Sequence, residues 1–245
     1  MQADSPDVRH STSEDAAYVA YHAARFAHLL ALAQRLKPGR ATRVLDIGRS
    51  RLTSLLAAAY DDVVSLGMPY ETAPDFQGYQ APQDGRALRH IAFDLNTLRA
   101  GGPLPEAGPF DLIVFAEVIE HLYTAPELVL AAMRAQLAPG GLILCQTPNA
   151  AALHKRLTLL AGRNPYERIR VTYGDFGHFR EYTRAELCAF GPAAGLAVVS
   201  HHYANYFGLG RPTAWHRLAD AGLSALSRLV PSFSRGQTIV YRRVD

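Results

Sequence analysis

Residues 117–121 read Glu-Val-Ile-Glu-His and close a strongly apolar run, "FDLIVFA". Two carboxylates and an imidazole within five positions can hold and move protons, because imidazole titrates near working pH and a carboxylate can be tuned toward it. If Glu117 opens a helix, Glu120 stands at i+3 and His121 at i+4, so the three side chains share one face. Val118, Ile119 and Leu122 then point elsewhere and pack. A second stretch with chemical capacity is "VLDIGRSR", residues 44–51, where Asp46 and Gly48 mark the exit from a short apolar strand. Glycine there lets backbone approach a ligand, since no Cβ stands in the way and φ is unrestricted. A third lies between residues 154 and 179, where Lys155, Arg156, Arg163, Arg168 and Arg170 alternate with Tyr166 and Tyr173.

The elements that must position these residues follow from apolar periodicity and from Gly and Pro punctuation. A helix is predicted over 16–36, stopped by Pro38-Gly39, then a strand at 43–47 and a helix to about Tyr60. Residues 62–66 form a second strand, 67–89 an irregular connection, 90–96 a third short strand and 101–109 a loop. The segment 110–122 reads as a buried strand flowing into a helix, 126–137 as a further helix, and Pro139-Gly140-Gly141 as the turn into "LILCQT". "LAVVSHHY" and "QTIVYRRV" are two late strands with a helical stretch at 213–229 between them. Strands alternating with helices predict an α/β fold, a mostly parallel sheet with helices on both faces, and the late pair predicts an antiparallel edge strand. Ligands in such sheets bind beyond the carboxyl ends of the strands, where strand order reverses. That gathers "DIGRS", "FDLN", "AEVIEH" and "QTPN" around one crevice.

The length of 245 residues supports one domain over 16–245, with 1–15 a flexible N-terminus and 150–180 a lid-like insertion. The chain is 49% hydrophobic without any apolar run of about 18 residues, which speaks against a membrane span. The first residues are polar, of mixed charge and without an apolar core, which reads as a cytoplasmic protein. Cys145 and Cys188 lack paired spacing and fit reduced thiols better than a disulfide or zinc site. Charge divides unevenly. Residues 1–150 carry 12 Lys and Arg against 16 Asp and Glu, whereas 151–245 carry 13 against 6, a balance of +7. A basic second half suits an anionic ligand or surface, or is a solvated face.

The motifs together resemble those of the class I S-adenosylmethionine-dependent methyltransferases. "VLDIG", "FDLN", "FDLIVFAEVIEHL" and "LAPGGLILCQTPN" match successive family motifs, and "GHFREYTRAEL" resembles a segment of small-molecule and lipid-modifying members. The pairing of "EVIEHL" with "LAPGGLIL" is the most specific of these signals. A nicotinamide dehydrogenase would need G-x-G-x-x-G after the first strand, and bulky arginines occupy those places.

The resemblance implies a Rossmann-like seven-stranded sheet and S-adenosylmethionine bound by Asp46, Gly48, Ser50, Arg51, Asp94, Leu95 and Glu117. Arg49 or Arg51 would pair with the cofactor carboxylate, and Asp94 would address the adenine amino group. The chain departs from the family in two places: the first loop keeps a single glycine, and the second strand ends in Gly67-Met68 where an acid is usual, with Glu71 the nearest one. The family places His178 near Glu117 and His121, which makes these three the catalytic candidates. Glu117, Glu120, His121 and His178 would also suit Mg²⁺ or Mn²⁺, as in small-RNA and quinone-pathway O-methyltransferases, although no metal is the expected state. The acceptor implied is a small or carrier-linked anionic molecule, a sugar, lipid or glycan intermediate, methylated on oxygen. Nucleic acid is not the expected partner. The helix at 213–229 reads as a crossover helix, with peripheral membrane contact as the alternative. A pseudo-enzyme that keeps the fold as a binding module is the alternative function.

Overall fold

The computed structural model of the chain describes residues 12–68, 80, 87–100, 102–105, 107–169, 177–206 and 214–244, with backbone alone for 12–15 and 214–220. The long helix α1 (Thr12–Leu36) precedes β1 (Arg43–Ile47), α2 (Arg51–Ala59), β2 (Asp62–Gly67) and β3 (Arg89–Ala92). β4 (Phe110–Ala116), α3 (Pro126–Ala135), β5 (Leu137–Pro148), α4 (Leu153–Leu160) and α5 (Arg184–Ala193) follow. β6 (Leu196–Ala204), α6 (Ala214–Leu229) and β7 (Gly236–Arg243) complete the chain. The seven strands form one sheet in the order β3-β2-β1-β4-β5-β7-β6. β1 pairs in parallel with both β2 and β4, so strand order reverses between β1 and β4.

Period-two alternation along the strands assigns each side chain to one of two cores. Leu45, Ile47, Ile113, Phe115, Ile143, Cys145, Ile239 and Tyr241 face α3 and α5, packing on Val129, Leu130, Met133 and Leu187. Val44, Leu112, Val114, Leu144 and Val240 face the other way, onto Phe26, Leu29 and Leu32 of α1 and Leu52 and Leu56 of α2. A sheet covered on both faces needs near-continuous apolar strands, as "FDLIVFA" is.

The antiparallel pairing expected at one edge is present: β7 runs antiparallel between β5 and the edge strand β6. Four other expectations are corrected in detail. α1 begins at Thr12, so only residues 1–11 of the expected flexible N-terminus lie outside the described residues. β3 ends at Ala92, and Asp94 caps a 3-10 turn over Leu95–Thr97. β5 starts at Leu137, with Gly140 at φ 67 inside it in place of a separate turn. No α-helix follows β4. Glu117 takes φ 54, a left-handed conformation rare outside glycine, and a single 3-10 turn spans Ile119–His121. The Glu117 amide donates to Gln146 O at 2.8 Å, holding the chain to β5 for one residue beyond β4, and α3 waits for Pro126 at its first turn. The proposed lid is partly helical, as α4, and residues 170–176, with Arg170 and Tyr173, lie outside the described residues. Among the described residues, no helix is long and apolar enough to cross a membrane.

α5 begins with a capping box in which Thr183 and Glu186 satisfy each other's backbone amides. It seats on β7 through Tyr241, whose hydroxyl donates to Leu187 O at 2.7 Å. Gly191 makes that approach feasible, since a Cβ there would lie 2.8 Å from the Tyr241 ring. Helix propensity alone favours Ala over Gly by about 0.5–1 kcal/mol, whereas overpacking a core contact costs about 1–3 kcal/mol. Gly191→Ala is therefore expected to destabilise the protein by up to about 2 kcal/mol, read as a lowered urea midpoint with an unchanged slope. A gain in stability would show that α5 does not seat on Tyr241 this closely.

Candidate functional site

The carboxyl ends of β1 to β5 lie along one edge of the sheet, beside the reversal of strand order. At the exit of β1, Gly48 adopts φ 102, which a side chain would make costly, and its amide donates to Leu66 O at 2.7 Å. Gly67, at the end of β2, meets Gly48 backbone to backbone: a Cβ on Gly67 would lie 3.3 Å from Gly48 Cα. The residue standing in the family's acidic position is thus a glycine with a packing reason, and Glu71 lies outside the described residues.

The glycine-poor loop is held by its polar side chains. Ser50 caps α2, accepting from Leu52 N at 3.2 Å, while its own amide donates to Thr53 Oγ1 at 2.9 Å. The Thr53 hydroxyl donates in turn to Asp46 Oδ2 at 2.6 Å. Asp46 is 3% exposed, and burial pushes its carboxyl up to about 7, against the opposing pull of the Thr53 hydrogen bond and the Arg25 guanidinium. Ser50 thus uses its oxygen as an acceptor. Arg51, expected to meet the cofactor carboxylate, is bonded to the Gln80 side-chain oxygen. Asp94 Oδ1 accepts from Asn96 N at 2.9 Å above the buried Leu95, and Asn96 Oδ1 accepts from Tyr123 N at 2.8 Å, tying the turn after β3 to the turn after β4.

The left-handed turn at Glu117 brings its carboxyl against that of Glu120, which is wholly buried. Glu120 Oε2 accepts from Thr147 Oγ1 at 2.8 Å, whereas Oε1 of each glutamate is buried with no donor among the described residues. Burial and their mutual repulsion raise the Glu117 carboxyl far above the usual carboxylate range, and burial raises Glu120 as well. One proton shared by the pair is the arrangement this environment favours.

Two groups here escaped the reading of the sequence. The first is the inner face of α1. Arg25 is 3% exposed, lies 4.7 Å over the Phe26 ring, and acts electrostatically on Asp46, Glu117 and Glu120, opposing the rise that burial imposes on all three. Tyr18 accepts a long hydrogen bond from Arg25 Nη2 at 3.5 Å. His22, between the two, is pushed down to about 3 by burial and by Arg25, and so is neutral at physiological pH. The available signal was a charged residue on the apolar stripe of an amphipathic helix, four places before Leu29.

The second is Glu181. Its Oε1 lies 3.1 Å from His178 Nδ1, and its Oε2 is ion-paired with Lys155. Lys155, expected to serve an anionic ligand, is buried and engaged by this carboxylate, and burial lowers its ammonium to about 8. Arg163 and Arg168 are exposed. The His121 and His178 rings meet edge-on at 4.9 Å, so the two segments do converge. One ligating atom each from Glu120, His121 and His178 lies within 4.8 Å of the others, while Glu117 stands outside that group.

Several solved structures share this fold. A chain of the complex between the Haloferax volcanii Trm112 methyltransferase activator and a methyltransferase aligns at TM-score 0.64 and 16% identity, over 96% of this chain and 95% of that one. The 1,6-didemethyltoxoflavin-N1-methyltransferase of Burkholderia thailandensis, bound to its substrate and S-adenosylhomocysteine, aligns at 0.56 and 19%, over 99% and 94%. The N-methyltransferase NodS of Bradyrhizobium japonicum WM9, with S-adenosyl-L-homocysteine, aligns at 0.53 and 16%, over 100% and 94%. At these identities the likeness is one of fold. No curated protein matches the chain by sequence. Residues 18–201 match the methyltransferase-domain family, a span that begins at Tyr18 on the inner face of α1, takes in the whole crevice and ends within β6. The chain belongs to that family.

Proposed function

We propose that the protein is an S-adenosylmethionine-dependent methyltransferase with a rebuilt first loop, acting on a small or carrier-linked anionic acceptor. The observation that carries this reading is the backbone cradle at Gly48, where φ 102 and the abutting Gly67 leave the exit of β1 open to a ligand beside the buried Asp46. Two structures of the same fold hold S-adenosylhomocysteine, which supports the reading. Asp46, Gly48, Ser50, Asp94 and Leu95 would hold the cofactor, which when bound supplies a methyl group on a sulfonium. The chain's own part is to orient the acceptor, exclude water and receive a proton. The adjacent His121 and His178 imidazoles would receive the proton of a hydroxyl acceptor, and their pairing supports methylation on oxygen. The exposed Arg163 and Arg168 suit its anionic portion. A pseudo-enzyme would keep the fold without binding the cofactor.

Calorimetric titration of the purified protein with S-adenosylmethionine is expected to show saturable one-to-one binding. Gly48→Val places a branched side chain in the approach path and should weaken it by ~10-fold or more, about 1.4 kcal/mol. Wild-type protein that binds no cofactor would establish the pseudo-enzyme instead.

Asp46 links the same site to stability. Its folded carboxyl titrates near 7 against an unfolded value of 3.8, so its stabilising contribution is present below 3.8 and lost as pH rises through about 7. Asp46→Asn keeps an acceptor for Thr53 and removes that dependence. The variant should gain melting temperature over wild type as pH rises across this window while losing cofactor affinity. A difference that stays constant with pH would mean Asp46 is not held near 7.

A second reading, a divalent cation on Glu120, His121 and His178, is favoured by their mutual approach within 4.8 Å and by the undonated Glu120 Oε1. The metal-free reading expects full activity after prolonged chelation. Loss of activity restored by Mg²⁺ or Mn²⁺ would favour the second.

A further inference from the structure

The two oxygens of Glu181 serve different partners. Oε2 meets the ammonium of Lys155 on α4, and Oε1 lies 3.1 Å from His178 Nδ1, three residues earlier in the chain. The Glu181 and Lys155 side chains are 8% and 9% exposed, so the pair is almost out of water. Burying such a pair is costly, and apolar side chains would hold α4 as well. What the pair supplies that apolar residues cannot is an ionised carboxylate aimed at one nitrogen of a histidine.

A carboxylate only accepts hydrogen bonds, so the nitrogen facing it must carry the proton. The neutral His178 ring then has its lone pair on Nε2. His121 is oriented by the same logic but more weakly, since its Nδ1 faces the Gly177 carbonyl oxygen at 3.2 Å. The two rings, 4.9 Å apart, are thus anchored through Nδ1, one by a neutral carbonyl and one by a charge. When an imidazole takes up a second proton, a carboxylate on its far side offsets the new positive charge, which a carbonyl does far less.

We propose that Glu181, held in place by Lys155, is a positioning residue that fixes His178 as the Nδ1–H tautomer and makes it, ahead of His121, the proton-accepting group of the acceptor site. In that step the acceptor O–H bond breaks, its electron pair stays on oxygen, and the proton passes to His178 Nε2. The inference rests on the methyltransferase reading only for what the acceptor then undergoes. The tautomer stands independently of it.

The test uses cofactor-free full-length protein labelled with ¹⁵N-histidine, at about pH 7.5, where an ordinary imidazole is mostly neutral and the Lys155 ammonium is still mostly charged. Long-range ¹H–¹⁵N spectra, assigned with His178→Gln, are expected to show His178 as the Nδ1–H form. Glu181→Gln should retain it, because the carboxamide oxygen can accept the same bond, whereas Glu181→Leu should let the Nε2–H form appear. If Glu181→Leu alone strands Lys155 and fails to fold, the Lys155→Met/Glu181→Leu double variant removes both charges and gives the same readout. In turnover, loss of the carboxylate should lower kcat by ~10–100-fold with the KM for S-adenosylmethionine unchanged, Glu181→Gln should lie between, and His178→Gln should cost more than His121→Gln. An Nε2–H tautomer in the wild type, unchanged tautomers without Glu181, or a larger loss from His121→Gln would each overturn the proposal. Protein that shows the expected tautomers but binds no cofactor would remove the methyltransferase reading and leave the role of Glu181 in place.

Discussion

Three carboxyl groups beside the reversal of strand order, Asp46 and Glu120 buried and Glu117 half-buried, set the terms for the rest of this structure. Asp46 leaves β1, and Glu117 and Glu120 leave β4, all into surroundings with little water. An isolated charge there would be prohibitive, so each group is matched by a donor, a proton or a cation. Thr53 donates to Asp46 and Thr147 to Glu120, the two glutamates share their repulsion through protonation, and Arg25 reaches toward all three from α1. The long N-terminal helix is therefore part of the site. Its face bearing Tyr18, His22 and Arg25 lies toward the carboxyl groups while its apolar stripe packs on the sheet.

The loop after β1 is glycine-poor and is held by its own side chains. Gly48 alone takes the left-handed conformation, and the order that further glycines would leave to the ligand is supplied by a chain of hydrogen bonds from the Ser50 amide through Thr53 to Asp46. Gly67 completes the arrangement by giving way to Gly48, at the expense of the acidic side chain usual at that place. His178 and Glu181 come from the segment before α5, and Lys155 from the helix after β5. The Lys155–Glu181 pair fastens those two segments to each other below the imidazoles.

Most of the fold was legible because period two, period 3.6 and Gly or Pro punctuation are local signals. The strand cores at 43–47, 62–66 and 110–116 and the helix near 126–135 stand where they were read. The placement of β7 between β5 and β6 was not legible, since pairing order depends on which edge is available after the parallel core has formed. The helix expected at Glu117 failed for a comparable reason. The spacing Glu-x-x-Glu-His suits a helix, but the bond from Glu117 N to Gln146 O continues the sheet, and the backbone then turns through positive φ.

The sequence by itself determined the α/β class and the gathering of Asp46, Gly48, Asp94, Glu117, Glu120 and His121 at the carboxyl ends of the strands, because those residues sit at strand exits that local pattern locates. Only the tertiary structure decided the partners. Arg51 turned to Gln80, Lys155 left the surface for Glu181, and Arg25 entered from a helix that carries none of the motifs. Charge and hydrogen-bond capacity can be read from residue types, but which group meets which is settled by contacts between residues far apart in the chain, and burial then decides whether each stays charged.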